Sequence, residues 1–377
     1  MILKKYLPAL VLALLCQYAP TAAVAEEIHI GAAFPLSGPN ASFGDTFLAG
    51  ANLAVEHINA DKLLSDKLVI KYEDSQGLPQ QGVIGMNKLV NVEKVPYVLT
   101  AFTGVSKAIS GVAQRTHTVV ANGGAIGPDL ATLGPYFWNV IPLANFEVRA
   151  MVPYLVKERG LKRIVLVYVD DPLGQAIKKE LETAVPAAGG QLVDVLSVPP
   201  TIQQFSSIAA RVRSAKADAV YIISYGAQQL QIVKQFRDNG ITQQLVSYTG
   251  FSVPEIDALP EARGALYTSQ NIDWNSSDPV TRRFVDDYRK KYKKLPTTYM
   301  ANYYNAVRLF GLLAHDLQKQ GKPVTGDTLL EQRKQSKRFD FVGGKVSFAD
   351  NGTITAPMQI NEVDGKGGRL VTVSAAP

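Results

Sequence analysis

The stretch VPYVLTAFTGVSKAIS, residues 95–110, decides the fold expected for this chain. Residues 95–100 are a short apolar run, which predicts a buried strand. Residues 101–105 form a turn rich in small residues, and residues 106–117 carry apolar side chains at helical spacing. A strand that leads through such a turn into a helix leaves backbone N–H groups free at the helix start. Those groups and the helix dipole favour an anion there.

We call such a strand, turn and helix start a corner, and a second corner follows directly in the sequence. Residues 118–122 predict a strand, and GGAIGPD at residues 123–129 is a glycine-rich loop. Two neighbouring strand ends with such loops predict a ligand crevice at the carboxyl edge of a parallel sheet. The alternative is that both loops are ordinary connections between a strand and a helix.

Strands and helices alternate on both sides of these corners. Residues 28–34 and 68–72 predict strands, and residues 45–60 and 80–92 predict helices. The alternation starts again after residue 142, with a continuous apolar strand at residues 163–169. This order predicts an α/β protein whose parallel sheets are flanked by helices. Two successive sets of such units predict two lobes with a cleft between them.

The first 25 residues have the features of a secretory signal peptide. Two lysines precede an apolar stretch at residues 7–16, and Ala23, Val24 and Ala25 form a small-residue cleavage site. We therefore expect cleavage after Ala25 and export of the mature protein. Lipidation at Cys16 is the alternative, but Leu15 is bulky where lipoprotein signals prefer a small residue.

Composition excludes several kinds of chemistry. Removal of the signal peptide removes the single cysteine, so neither disulfide nor thiol chemistry is expected in the mature chain. The formal charge of +6 falls to +4 without Lys4 and Lys5, and the remaining charges are interleaved. Nucleic-acid binding is therefore not expected.

The polar residues form few recognisable sites. The four histidines have no metal-ligand spacing, and no cofactor fingerprint or nucleophile motif is present, so we expect neither a metal nor a cofactor. The acidic pair Asp170–Asp171 follows the strand at residues 163–169. It can either contact a ligand or cap the next helix.

Several segments carry a family resemblance: IGAAFPLSGPNASFGD (30–45), AGANLAVEHINA (49–60), KYEDSQGLPQQGVIGMNKLV (71–90), GPDL (127–130), VYVDDPLGQ (167–175) and residues 218–240. They resemble periplasmic solute-binding proteins of the leucine/isoleucine/valine type, the type I components of ABC transporters. The resemblance implies a hinge of three crossovers, near Leu143, Asn271 and Asn351, and closure around a small ligand. The implied lobes are residues 26–143 plus 272–351 and residues 144–271 plus 352–377.

The resemblance also implies a ligand site. In such proteins two corners of the first lobe hold the ligand's carboxylate through hydroxyl and backbone N–H groups. The matching residues here are Thr103, Gly104, Val105 and Ser106, followed by Gly124, Ala125 and Ile126. An aromatic residue that commonly covers the ligand corresponds to Phe43, and Phe102 is a further candidate wall residue. The candidates in the second lobe are Asp171, Leu173, Tyr225, Thr249, Gly250 and Phe251.

Three departures from the family pattern bear on the ligand. Amino-acid binders hold the α-ammonium group with a carboxylate and a hydroxyl, but here Thr249 and Ile126 stand in those two places. Leu173 stands where an aromatic residue is expected. A buried ammonium without an anionic partner costs on the order of several kcal/mol. The sequence therefore favours an aromatic or aliphatic carboxylate, or a neutral compound, over an amino acid.

The resemblance, together with these departures, implies a monomeric, non-enzymatic substrate-binding component of an ABC importer in the periplasm, which delivers a small organic ligand to permease subunits in the inner membrane. Three alternatives stay open. The first is a true branched-chain amino-acid binder whose acid is Asp170 or Asp171. The second is a ligand-sensing subunit that reports to a membrane kinase, and the third is an exported hydrolase.

Overall fold

A computed structural model describes residues 26–336 and 338–374 of the chain. The predicted signal peptide, with its cleavage site and Cys16, lies outside the described residues. Two lobes, each built on its own sheet, account for the described part, as the sequence predicts. None of the helices in that part is both long and apolar enough to cross a membrane.

The first lobe is built on five parallel strands in the spatial order β2-β1-β3-β4-β5. The strands are β1 (Glu27–Phe34), β2 (Lys67–Asp74), β3 (Tyr97–Thr100), β4 (Val119–Asn122) and β5 (Phe137–Asn139). The helices of this half of the chain are α1 (Ala41–Ala60), α2 (Pro79–Asn91) and α3 (Thr103–Thr116). Because β3 and β4 are adjacent and parallel, the two predicted corners lie side by side at one edge of the sheet.

The second lobe contains seven strands in the order β14-β13-β10-β9-β8-β6-β7. The strands are β6 (Arg163–Val169), β7 (Gln191–Val198), β8 (Ala219–Ile223), β9 (Gln244–Ser247), β10 (Leu266–Gln270), β13 (Met358–Glu362) and β14 (Arg369–Ser374). The helices are α4 (Ala144–Pro153), α5 (Pro172–Ala187), α6 (Ser206–Ser214), α7 (Gly226–Asp238) and α8 (Pro254–Asp257). Strands β6 to β10 are parallel to one another. Strand β13 pairs antiparallel with β10, and β14 pairs antiparallel with β13.

The chain between β10 and β13 returns to the first lobe. It forms α9 (Pro279–Tyr292), α10 (Thr298–Lys319), α11 (Gly326–Gln335) and a hairpin of β11 (Phe339–Phe341) and β12 (Gly344–Val346). Helix α10 is tied to β3 by two tyrosines: Tyr97 donates to the carbonyl of Ala306, and Tyr303 donates to the carbonyl of Thr100. Strand β5 then meets the chain on its way back, because the Asn139 N–H donates to the carbonyl of Gly352.

Several elements differ from the sequence prediction, among them two helix boundaries and one helix that was not predicted. Helix α3 begins at Thr103, three residues before the predicted start, because Phe102 turns the chain sharply with φ 65°. Helix α4, which the apolar spacing predicts over residues 145–159, ends at Pro153 and continues as a single π-helical turn, Tyr154–Glu158. Helix α11 was not predicted from the sequence. It begins at a reciprocal cap in which Thr325 and Thr328 bond to each other's backbone N–H groups.

Candidate functional site

A cavity of about 190 Å³ lies between the two lobes. Its volume equals roughly six waters at about 30 Å³ each, and it is smaller than the sites of about 300–1,000 Å³ that hold drug-sized ligands. The lining residues are Phe43, Phe47, Gly77, Leu78, Pro79, Phe102, Thr103, Gly104, Gly124, Ala125, Ile126, Asp171, Pro172, Leu173, Pro200, Tyr225, Tyr248 and Tyr299. The cavity therefore suits a single ring or a short branched chain.

The cavity lies at the carboxyl ends of the parallel strands, where open α/β sheets bind their ligands. A wider depression of about 730 Å³ lies at the amino ends of the first sheet, beside Glu27, Asp66 and Lys94. That depression is shallow and lined by charged side chains, so it does not enclose a ligand. Among residues 26–336 and 338–374, no group of three or more His, Cys, Asp or Glu side chains is arranged to hold a metal ion.

The start of α3 supplies hydrogen-bond donors to the cavity. The first N–H groups of a helix have no partner within it, and here they belong to Thr103, Gly104 and Val105. The Thr103 hydroxyl accepts a hydrogen bond of 3.3 Å from the Gly127 N–H, which leaves the hydroxyl hydrogen free to donate. A carboxylate at this position would meet these donors and the positive end of the helix dipole.

In the second corner, two of the three expected N–H donors are already occupied. The Gly124 and Ala125 N–H groups donate to the Asn122 side-chain oxygen at 3.1 and 2.7 Å, so both are occupied. A Cβ atom on Gly124 would lie 2.7 Å from the Tyr303 hydroxyl, which explains the need for glycine there. The expectation that this corner offers free N–H donors is thus corrected for these two residues.

Aromatic rings cover the ligand position from the first lobe. Phe43 and Phe47, one turn apart on α1, have ring centroids 5.9 Å apart. Tyr299 from α10 lies 5.8 Å from Phe43 and 5.9 Å from Phe47. Phe102 meets Phe43 at 5.8 Å and reaches Tyr225 of the other lobe at 5.2 Å. Edge-to-face contacts of this kind favour a flat or branched apolar ligand body.

The second lobe supplies the charged group of the cavity. Asp171 caps α5 by accepting from the Gly174 N–H at 2.8 Å, and it also accepts from the Tyr225 hydroxyl at 2.5 Å. Among the described residues that line the cavity, Asp171 is the sole one with a charged side chain. Burial raises the pKa of the Asp171 carboxyl, although the hydrogen bonds from Gly174 and Tyr225 oppose this rise.

The two lobes touch each other beside the cavity. A Cβ atom on Gly226, which has φ +58°, would lie 2.4 Å from the Asn40 side-chain oxygen of the first lobe. A Cβ atom on Gly104 would lie 3.6 Å from the Pro172 ring of the second lobe. These contacts, together with that of Phe102 with Tyr225, show that the cleft is closed.

Comparisons with known proteins agree with this architecture. The family model described as "Periplasmic binding protein" matches residues 27–369. The chain belongs to this family. A relative in Brucella melitensis biotype 1, "Leu/Ile/Val-binding protein homolog 3", is 26% identical over 337 residues, which are 88% of this chain and 89% of the relative.

Solved structures show the same fold for this periplasmic binding protein. A leucine-binding protein from Thermotoga maritima superposes with a TM-score of 0.85 at 21% identity, over 92% of this chain and 99% of that one. A solute-binding protein from R. palustris, solved with 4-hydroxybenzoate, gives 0.82 at 21% identity, over 93% and 98% of the two chains. The fold is therefore that of type I solute-binding proteins of ABC transporters.

Ten of the residues expected in the site of this periplasmic binding protein line the cavity. They are Phe43, Phe102, Thr103, Gly104, Gly124, Ala125, Ile126, Asp171, Leu173 and Tyr225. Whether they contact a ligand stays a prediction. Asp170, the alternative acid, is exposed and accepts a hydrogen bond from the Gln175 side chain at 2.6 Å. Of the two neighbouring acids, Asp171 therefore lines the cavity and Asp170 does not.

The structure places five expected residues behind the cavity wall. The Val105 side chain packs towards α2, because a Cβ on Gly82 would lie 2.5 Å from it, and the Ser106 side chain is fully buried. Thr249 is turned away, since its hydroxyl donates to the carbonyl of Thr268 at 3.0 Å. Gly250 and Phe251 are buried in the second lobe. Tyr248, the residue before them, lines the cavity instead.

The sequence analysis missed eight residues that line the cavity, three of them aromatic, and one buried acid. Phe47, Tyr248 and Tyr299 line the cavity, but their helical or strand spacing indicated only a buried face. Glu147, on α4, is 1% exposed and accepts from the Thr249 N–H at 2.8 Å and the Thr268 hydroxyl at 2.7 Å. Burial raises the pKa of the Glu147 carboxyl to about 7. No sequence signal distinguished this glutamate from a solvent-facing one.

Proposed function

We propose that this protein captures a small organic carboxylate, aromatic or branched aliphatic, and delivers it to the permease of an ABC importer. The observation that carries the proposal is the pairing of free donors at the start of α3 with a cavity of aromatic walls. The donors suit a carboxylate, and the rings suit an apolar body. The neighbouring structure solved with 4-hydroxybenzoate supports this class of ligand, whereas the neighbour named a leucine binding protein supports the second candidate below.

A second candidate is a branched-chain amino acid. Thr249, which stands where amino-acid binders carry an acid, is turned away from the cavity. Asp171 nevertheless lines the cavity and could face an ammonium group. The two candidates differ by that ammonium group, so a matched set of ligands separates them.

In a thermal-shift screen we expect benzoate, phenylacetate and 4-methyl-2-oxopentanoate to stabilise the protein more than leucine, isoleucine or valine. A ligand at one hundred times its Kd adds about 2.7 kcal/mol to the free energy of unfolding. That gain corresponds to a rise in Tm of roughly 5–10 °C for lobes of this size. A large shift with the amino acids and none with the acids would assign the cavity to the second candidate.

Thr103 provides the matched variants for this screen. Thr103→Val removes the hydroxyl and keeps the side-chain volume, whereas Thr103→Ser keeps the hydroxyl. A hydrogen bond to a charged group contributes about 1.5–3 kcal/mol, so we expect the valine variant to bind the best acid roughly 10–150-fold more weakly. The serine variant should stay close to the wild type in titration calorimetry. Equal affinities for all three proteins would remove Thr103 from the carboxylate site.

The remaining parts of the functional assignment belong to the same proposal. The protein acts as a monomer, has no catalytic activity and does not bind nucleic acid. Its lobes comprise residues 26–143 plus 272–351 and residues 144–271 plus 352–377. The family's periplasmic location supports export, and the lack of a nucleophile motif supports a binding role.

Mass spectrometry of the exported protein tests the processing step. We expect a mature chain that begins at Glu26 without modification, because Ala23 and Ala25 fit a signal-peptidase site. A lipid-modified chain that begins at Cys16 would contradict this expectation and assign the protein to the membrane surface.

A further inference from the structure

Asp171 presents an unused acceptor to the cavity. Its two oxygens have about four lone-pair positions in total. The Gly174 N–H occupies a position on one oxygen, and the Tyr225 hydroxyl occupies a position on the other. At least one acceptor position on Asp171 is therefore left for a ligand bound in the cleft.

A carboxylate accepts hydrogen bonds and cannot donate them. A ligand atom beside Asp171 must therefore carry a hydrogen. An apolar atom there would leave the half-buried carboxylate without the water that solvates it in the open cleft, which costs affinity. The acid group of the ligand is excluded from this position for the same reason, and it is directed to the donors at the start of α3.

The number of acceptors distinguishes between kinds of donor. An ammonium group has three hydrogens and needs several acceptors when it is buried. A hydroxyl group has one hydrogen, which a single open position on Asp171 is enough to accept. The hydroxyls of Tyr225 and Tyr248 donate to Asp171 and to the Ser224 carbonyl, and the phenol oxygens that line the cavity are neutral and therefore weaker acceptors than a carboxylate.

Tyr225 contacts both Asp171 and the opposite lobe. Its ring lies edge-on to Phe102 of the first lobe at 5.2 Å, while its hydroxyl holds Asp171 in place. The next residue, Gly226, meets Asn40 of the first lobe. The acceptor is thus positioned by a residue that both lobes contact when the cleft is closed.

We propose that Asp171, positioned by Tyr225, selects ligands that carry a hydroxyl group in addition to their acid group. The inference rests on the proposed function and narrows its ligand class to hydroxylated organic acids. A phenolic hydroxyl and an alcohol hydroxyl supply the same chemistry, so the test includes both.

Titration calorimetry on the mature protein should use pairs of acids that differ by one hydroxyl. The aromatic series is benzoate, 3-hydroxybenzoate, 4-hydroxybenzoate and 4-methylbenzoate, and the aliphatic pair is 4-methylpentanoate and 2-hydroxy-4-methylpentanoate. We expect one hydroxylated acid to bind at least about tenfold more tightly than its unsubstituted and methylated counterparts. If that acid belongs to the aromatic series, the recognised group is a phenolic hydroxyl. If it belongs to the aliphatic pair, the recognised group is an alcohol hydroxyl.

Two variants and one control assign the preference to this site. Asp171→Asn keeps a residue that can cap α5, and Tyr225→Phe keeps the ring while removing the hydroxyl. In both variants, the ratio of the affinity for a hydroxylated acid to the affinity for its unsubstituted counterpart should fall towards one. Asp170→Asn, a change at the exposed neighbouring acid, should leave the ratio as in the wild type.

The possible results separate this inference from the proposed function. Equal binding of hydroxylated and unsubstituted acids would overturn the inference and leave the carboxylate function intact. A preference that survives in both Asp171→Asn and Tyr225→Phe would also overturn it. Tight binding of leucine or phenylalanine without any acid binding would instead overturn the proposed function.

Discussion

Replacing Glu147 with glutamine should remove a pH-dependent loss of stability of about 3 kcal/mol. Burial raises the pKa of the folded carboxyl from its ordinary value of 4.5 to about 7, so the folded protein holds this proton more tightly than the unfolded chain does. The stabilisation that this bound proton gives the folded protein is complete below pH about 4.5. It declines as the pH rises and is lost above pH about 7. A difference of about 2.5 pH units at about 1.4 kcal/mol each gives this order of magnitude.

Glutamine retains the contacts of Glu147 without the charge. Its oxygen can accept from the Thr249 N–H and the Thr268 hydroxyl, which are the two donors that Glu147 uses. Unfolding by denaturant from pH 4 to pH 8 should show Glu147→Gln matching the wild type at low pH and exceeding it at high pH. In thermal unfolding the difference should reach roughly 6–12 °C.

Glu158→Gln is the matched control for this experiment. Glu158 lies in the π-helical turn that continues α4, and its side chain is exposed. Its replacement should change stability by about 0.5 kcal/mol or less, as is usual for surface sites. If the stability difference between Glu147→Gln and the wild type is flat with pH, Glu147 does not titrate with the raised pKa.

The same substitution, glycine to alanine, should have opposite effects at two helical positions of the first lobe. A Cβ on Gly50 of α1 would lie 2.1 Å from the backbone carbonyl oxygen of Met300, where α1 crosses α10. A Cβ on Gly111 of α3 would meet the end of the flexible Arg115 side chain at 3.4 Å. Gly50 is buried and Gly111 is exposed.

We expect Gly50→Ala to lower the free energy of unfolding by about 1–3 kcal/mol, because a backbone carbonyl cannot rotate away and the helices must separate. Gly111→Ala should raise it by about 0.5–1 kcal/mol through the better helix propensity of alanine. Urea denaturation midpoints of the two variants provide the measurement. A neutral or stabilising Gly50→Ala would show that the helices approach less closely than described.

Gly50→Ala should also weaken ligand binding. The crossing of α1 and α10 brings Phe47 and Tyr299 to the cavity, with ring centroids 5.9 Å apart. Separating the helices moves both rings, so the affinity for the best acid should fall together with stability. Full affinity in a destabilised Gly50→Ala protein would show that the two rings keep their positions when the helices shift.

Local sequence patterns were enough to predict the architecture. Alternating apolar runs and helical spacing predict parallel sheets flanked by helices, and the corner at residues 101–105 predicts free donors at a helix start. These features depend on backbone geometry and on residues close together in the chain. Thr103, Gly104 and Ile126 could therefore be placed at one sheet edge before the structure was known.

The tertiary structure decided which side chains form the cavity wall. Phe47 and Tyr299 are about 250 residues apart, and periodicity shows that each faces an apolar environment without showing what covers it. The two acids show the same limit. Asp170 and Asp171 are adjacent in sequence, yet one is exposed and the other lines the cavity.

Thr249 shows why position in a family pattern does not determine the role of a residue. The sequence placed Thr249 in the site, where a related protein would carry an acid. In the structure, its N–H bonds to Glu147 and its hydroxyl to the Thr268 carbonyl, which turn the side chain away. Glu147 is 102 residues distant, and its effect on Thr249 exists only once α4, β9 and β10 have packed together. The sequence alone therefore determined the lobes and the location of the cleft, and long-range packing determined which polar groups face the ligand.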